Sequence, residues 1–209
     1  TLDAATAAGA AVLERLLARA DVLVTNLSAA RLRRWRLTPA ELAERFPSLV
    51  AINLTTYGIE GPWAERPGSG TLAEAAAGLA GLTGEADGPP GLAPVGLGDH
   101  LGALHGIIAA LVGLLERTAG ARARFADLSM TRPVLALLAH RIATAARDRI
   151  EPGRHGNRFP NVAPRNTYRA ADGVWVALTA GTDELAARAL AAAGHAELAE
   201  DPRFRDNLA

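Results

Sequence analysis

The chain has 209 residues, 49% hydrophobic, 21% charged and 4% aromatic, a balance that fits an ordinary soluble globular protein and excludes a disordered tail or a disulfide-knotted peptide. All 22 basic residues are arginine and they match 22 acidic ones, so no net charge draws the chain toward nucleic acid or a membrane surface. With neither Lys nor Cys, Schiff-base and thiolate nucleophiles and a Walker-type phosphate lysine are excluded, which leaves Asp, Glu, Ser, Thr, Tyr and His for covalent chemistry.

No apolar run approaches the roughly 18 to 20 residues of a membrane span. The start, Thr1-Leu2-Asp3-Ala4, lacks the basic flank and apolar core of a signal peptide. The expectation is a cytoplasmic protein. Its opening without Met, directly into an Ala-rich segment, points to a natural start further upstream.

In chain order, residues 7–20 place Val12, Leu13, Leu16 and Leu17 at helical spacing. Asp21 to Leu27 reads as a short strand, its Val22-Leu23-Val24 run typical of a parallel sheet covered on both faces. Thr38-Pro39-Ala40-Glu41 combines an N-cap hydroxyl, a Pro at the first helical position and a Glu at the third, which predicts a helix over 39–45. Leu49 to Thr56 is the next strand, and the Gly- and Pro-dense stretch 57–70 is a loop.

A small-residue helix follows over 72–82, then a second loop over 83–98, then an apolar helix from Asp99 to about Arg117 containing glycines at 102, 106 and 113. Residues 122–130 alternate as a strand does, and 133–147 form a further helix. The loop 151–166 marks a boundary. Beyond it, 166–180 reads as a hairpin across Ala171-Asp172-Gly173, and Thr182 caps a helix over 183–193.

Among candidate chemical groups, Asp99 stands out because a Gly-rich loop delivers it to a helix start, where backbone N–H groups can hold an anion or an acyl oxygen. The same position also suits an ordinary N-cap. The five His residues show no metal-binding spacing, so no metal is expected. Arg31, Arg33, Arg34 and Arg36 crowd around Trp35 just after the first strand, as either a solvated face or a grip on phosphate and adenine. Ser69, Ser129 and Thr131 lie in no nucleophile elbow, and no complete dinucleotide fingerprint occurs.

Several motifs occur in a telling order: Ala18-Arg19-Ala20-Asp21-Val22-Leu23-Val24-x-Asn26, Tyr57-Gly58-x-x-Gly61-Pro62, Arg66-Pro67-Gly68, Leu82-Thr83-Gly84-Glu85-x-Asp87-Gly88-Pro89-Pro90, Gly98-Asp99 and Gly156-Asn157-Arg158-x-Pro160-x-x-Ala163-Pro164. This series resembles the family III CoA-transferases (CaiB/BaiF family), which include formyl-CoA and carnitine CoA-transferases, with α-methylacyl-CoA racemase as a relative. The resemblance implies an α/β fold: part of a Rossmann-like parallel-sheet large domain over 1–150, then the start of a small α+β domain over 151–209.

The resemblance further implies that coenzyme A, carried as an acyl-CoA substrate, passes to a small carboxylic acid. Asp99 matches the nucleophile of the family, with Gly98 and the helix-start N–H groups as oxyanion donors. Asn26, Leu27 and Ser28 match a CoA-contact turn, Arg34 a CoA-binding Arg, and Arg66 and Gly68 a CoA-lining loop. The sequence departs from the family at Asn26-Leu27-Ser28-Ala29-Ala30, where Asn-Phe-x-Pro-Gly is usual, and at Ser69-Gly70, where Tyr-Asp is frequent or, in racemases, His-Asp. A racemase needs a His there for proton transfer, which favours transfer over racemisation. Family members are about twice this length and form interlocked homodimers, so the sequence corresponds to the middle of such an enzyme, with a non-catalytic CoA-binding or interaction role, or an α-methylacyl-CoA racemase-like enzyme, as the alternatives.

Overall fold

In the computed structural model, which describes residues 1–120, 124–159 and 162–204, the chain divides into two compact units. The first comprises Thr1–Ala80 and Leu92–Ile150, the second Gly81–Gly91 and the described residues from Glu151 on. The loop 81–91 thus belongs with residues far along the chain.

In the first unit, helix α1 (Ala7–Leu17) is capped by Thr6, whose Oγ1 accepts the Gly9 N–H at 3.1 Å. Strand β1 (Val22–Thr25) leads into α2 (Ala29–Arg34), capped by Ser28. Helix α3 (Pro39–Arg45) carries the expected capping box: Glu41 N donates to Thr38 Oγ1 at 3.4 Å and Thr38 N to Glu41 Oε2 at 3.2 Å. Strand β2 (Val50–Thr55) is followed by the 57–68 loop and by α4 (Gly70–Ala76). A single turn, α5 (Leu79–Leu82), follows Gly78, whose φ of 90° breaks the expected 72–82 helix in two.

Helix α6 (Leu97–Thr118) begins two residues before Asp99. Strand β3 (Phe125–Ser129) covers part of the expected 122–130 strand, of which 122 and 123 lie outside the described residues. The expected 133–147 helix is two, α7 (Thr131–Leu137) and α8 (Ala139–Asp148), separated at the buried Leu138.

The three strands form a parallel sheet in the order β1-β2-β3, with Val22 beside Val50 and Ala51 beside Phe125. Val50 to Asn53 of the central strand are buried. Leu17, Leu27, Leu32, Leu37, Leu42, Leu49 and Ala51 form one core cluster between α1–α3 and the sheet. Two apolar residues depart from expectation. Val24 on the edge strand is 70% exposed, because no described element covers that part of β1, and Leu16 points to solvent rather than into the core.

Helix α6 lies on the sheet by its small residues. A Cβ on Gly102 would lie 3.0 Å from Leu54, on Gly106 3.7 Å from Ile52 and on Gly113 2.6 Å from Val50. The helix therefore runs antiparallel to β2. At its far end Arg117 donates to Asp21 Oδ1 (2.8 Å) and Ser48 O (3.1 Å), both just before strands begin. This orientation puts the N-terminus of α6 at the carboxyl edge of the sheet.

The glycines are the packing face, and Leu104, Ile107, Ile108, Leu111, Val112 and Leu115 of α6 are turned outward. This corrects the absence of any span-length apolar segment: α6 has 22 residues and an 18-residue window of mean hydropathy 1.4, long and apolar enough by composition to cross a membrane. Its Gly and His residues break the apolar run without making the helix polar.

In the second unit, β4 (Arg165–Arg169) and β5 (Trp175–Thr179) pair as the expected antiparallel hairpin, Arg165 opposite Thr179. Gly173, with φ of 86°, donates its N–H to Ala170 O at 2.9 Å to close the turn. Thr182 caps α9 (Asp183–Ala192). Arg154 holds the 81–91 loop by donating to Gly88 O (2.7 Å) and Glu85 O (3.2 Å).

Candidate active site

Ligands of open parallel sheets sit beyond the carboxyl ends of the strands. In the first unit that edge is built from the turn after β1, the loop after β2 and the start of α6.

The turn after β1 is set by Asn53, which is fully buried on the central strand. Its Oδ1 accepts from Thr25 Oγ1 (2.7 Å) and Leu27 N (3.0 Å), and its Nδ2 donates to Leu27 O (3.1 Å). Of the three residues expected to contact CoA here, Asn26 is exposed and available. Leu27 is 8% exposed in the core cluster, so its side chain is structural. The Ser28 hydroxyl accepts the Arg31 N–H at 3.4 Å as the cap of α2.

The arginine cluster divides by partner. Arg33 pairs with Glu65 at 3.3 Å and Arg36 with Glu41 at 3.5 Å, while Arg31 and Arg34 have no side-chain partner among the described residues. Arg34 lines a cavity of about 180 Å³ with Thr6, Leu13, Trp35, Arg36 and Arg45. An unpaired guanidinium beside an indole suits an anionic group attached to a planar ring.

The loop after β2 is anchored by Asp127, whose Oδ2 accepts the Ile59 N–H at 3.0 Å. In it, Trp63 meets Tyr57 edge-on with centroids 5.2 Å apart, and the Arg66 guanidinium lies 5.0 Å from the centre of the Trp63 ring. Gly68 lies against the Thr56 side chain, where any Cβ would overlap, so it lets the loop return to the sheet edge.

Asp99 is the third residue of α6. It is exposed and, among the described residues, its carboxylate has no hydrogen-bond or ion-pair partner. The helix is capped otherwise: Gly96 occupies the N-cap without a side-chain bond, and the Gly98 N–H donates to Glu74 Oε1 at 3.2 Å. The N-cap role open to Asp99 in the sequence is therefore not its role in the structure. Gly98 cannot be a free oxyanion donor either, because its N–H is buried and occupied. Space for the Asp99 carboxylate comes from Gly70 and Gly96: a Cβ on Gly70 would overlap Asp99 Oδ2, and one on Gly96 would lie 3.2 Å from it. The neighbouring His100 ring bonds back to Gly96 O at 2.6 Å and forms no dyad with Asp99.

Asn26, Arg66 and Asp99 belong to segments at the same sheet edge, whereas Arg34, the last residue of α2, lines a cavity that none of the three lines, and no hydrogen bond or ion pair joins Asp99 to the others. Two residues not singled out in the sequence, Asn53 and Glu74, organise the edge. Each is a polar residue inside an otherwise apolar run, Ala-Ile-Asn-Leu and Leu-Ala-Glu-Ala-Ala, and that anomaly was the available signal. Among the described residues no group of three or more His, Asp or Glu side chains could hold a metal.

The family model for CoA-transferase family III matches residues 1–209. The chain is 34% identical over 209 residues to succinyl-CoA–D-citramalate CoA-transferase of Chloroflexus aurantiacus, covering all of this chain and 52% of that protein. It is 31% identical over 198 residues to acetyl-CoA:oxalate CoA-transferase of Acetobacter aceti, covering 94% and 51%. The crystal structure of a CaiB/BaiF family protein from Brucella suis superposes with a TM-score of 0.82 at 30% identity, covering 100% of this chain and 55% of the other. The chain spans about half the length of these relatives. Matched over its whole length in sequence and in fold, it belongs to CoA-transferase family III.

Proposed function

We propose that this chain carries the nucleophile-bearing part of an enzyme that moves CoA from an acyl-CoA to a small carboxylic acid through covalent intermediates on Asp99. The observation that carries the reading is an exposed carboxylate with no structural partner, held in a glycine-lined recess at the N-terminus of a 22-residue helix. An unpaired carboxylate keeps its lone pairs for attack, and the helix start favours the negative charge that builds up beside it.

In the first step an Asp99 oxygen bonds to the thioester carbonyl carbon and the C–S bond breaks, giving a mixed anhydride and CoA thiolate. The thiolate attacks the aspartyl carbonyl, releasing the donor acid as its carboxylate and leaving an aspartyl-CoA thioester. The acceptor carboxylate then displaces CoA from that thioester, and the returning thiolate takes the acceptor acyl group and frees Asp99. Arg34 and Asn26 bind the CoA portion in this reading, and Arg66 stacked on Trp63 lines its path. Relatives named for citramalate and oxalate make small dicarboxylic acids the first acceptors to assay. A homodimer belongs to the same proposal, supported by the outward apolar face of α6.

The test is mass spectrometry of the Asp99 peptide after incubation with succinyl-CoA or acetyl-CoA and hydroxylamine. A hydroxamate on Asp99, absent in Asp99→Ala, supports covalent transfer. CoA binding without any adduct supports a second reading, favoured by the half-length match, in which this chain binds CoA and the chemistry needs further segments.

A further inference from the structure

We infer that Glu74 is a positioning residue for Asp99, an inference that rests on the reading of Asp99 as the nucleophile. Glu74 is 2% exposed, and a buried carboxylate is tolerated only where donors or a positive helix end meet it. Here its Oε1 accepts the Gly98 N–H at 3.2 Å at the start of α6. In the same first turn Leu97 N donates to Val95 O (2.8 Å) and His100 N to Gly96 O (2.9 Å). The Asp99 N–H is the one left without a partner among the described residues.

A helix start ordinarily takes its cap from its own N-cap or third residue. In α6 the N-cap is a glycine with no side chain, so the Gly98 N–H, which an N-cap side chain would ordinarily meet, needs an outside acceptor. Glu74 supplies that acceptor from α4. The division of labour leaves one carboxylate buried and bonded and the other exposed and free.

The contact also fixes geometry. A Cβ on Gly98 would lie within 2.5 Å of Gly70 O, so the backbones of α4 and α6 touch at Gly70 and Gly98, and the Glu74 bond is a second attachment beside that point. Two attachments hold the Gly98–Asp99 peptide against rotation and aim the Asp99 carboxylate into the recess beside Gly70.

The experiment compares wild type, Glu74→Ala, Glu74→Gln and Glu74→Asp by three measurements: hydrogen exchange of the Gly98 amide by NMR, the rate of hydroxamate formation on Asp99 with succinyl-CoA, and calorimetric CoA affinity. Glu74→Ala is expected to expose the Gly98 amide to exchange and to slow Asp99 acylation by about 10- to 100-fold, the scale of a misaimed reacting group, with CoA affinity unchanged. Glu74→Gln keeps an acceptor oxygen and restores both protection and most of the rate. If Glu74→Ala fails to fold, Glu74→Asp, one methylene short of Gly98, carries the same expectation.

A rate unchanged despite a freely exchanging Gly98 amide would reduce Glu74 to a structural cap and overturn the inference. So would an unprotected Gly98 amide in wild type, or a Gln variant as slow as the Ala variant. Absence of hydroxamate in wild type while Gly98 protection still depends on Glu74 would instead sink the reading of Asp99 as nucleophile.

Discussion

Asn53 and Leu27 exchange two hydrogen bonds at the carboxyl edge of the sheet, Leu27 N donating to Asn53 Oδ1 at 3.0 Å and Asn53 Nδ2 to Leu27 O at 3.1 Å. The pairing ties the central strand to the turn that carries Asn26. Replacing Asn53 by Ala strands both buried backbone groups of Leu27, so urea unfolding should report a loss of about 2 kcal/mol. CoA affinity should fall at the same time, because the turn loses its register; calorimetry on the folded variant checks this.

Asp99→Asn should separate chemistry from stability. The side chain bonds to nothing among the described residues, so the change in unfolding free energy should stay below about 1 kcal/mol, the size of a charge–helix-dipole effect. Hydroxamate formation should disappear. A large destabilisation would mean that Asp99 does cap α6.

The glycines of α6 should respond in opposite directions. At Gly106 a Cβ meets Ile52 at an ordinary 3.7 Å, so Gly106→Ala should stabilise by about 0.5 to 1 kcal/mol through helix propensity. At Gly113 the Cβ would lie 2.6 Å from the buried Val50, and Gly113→Ala should destabilise by about 1 to 3 kcal/mol through overpacking. Denaturation of the two variants side by side decides it.

Acid should weaken two local structures. The Thr38 hydroxyl, hydrogen-bonded to the Glu41 carboxylate, holds it below its ordinary value of 4.5, and Arg203 holds Asp201 at about 2 instead of 3.8. Both folded values lie below the unfolded ones, so the stabilisation is complete above the unfolded value and is lost as pH falls through the folded one. For Asp201 that window runs from about 3.8 down to about 2. Glu41→Gln should flatten the start of the acid transition seen by circular dichroism below about pH 4.5.

Features decided by near neighbours were legible in the sequence. The Thr38–Glu41 capping box, the Thr182 cap and the turn at Gly173 each involve residues two to four positions apart. Contacts between distant segments were not. Glu74 finds Gly98 24 residues away and Asn53 finds Leu27 26 residues away, and no local pattern announces such partners. Helix α2 is masked in the sequence by its arginines, which read as a charge cluster, although Ser28 is an ordinary cap for it. The inverted face of α6 has no sequence signature, because apolar side chains ordinarily point inward, whereas close approach to β2 selects glycine there.

That close approach has a consequence for the chemistry. Interiors are packed too densely to yield by an ångström without compensation elsewhere. Gly102 and Gly113, where a Cβ would crowd Leu54 and Val50, therefore act as spacers that set the height of the helix axis above β2, and with it the level at which Asp99 emerges at the sheet edge. A single methyl group added at Gly113, 14 residues from Asp99, would tilt the helix about its other contacts like a shim under one end of a beam.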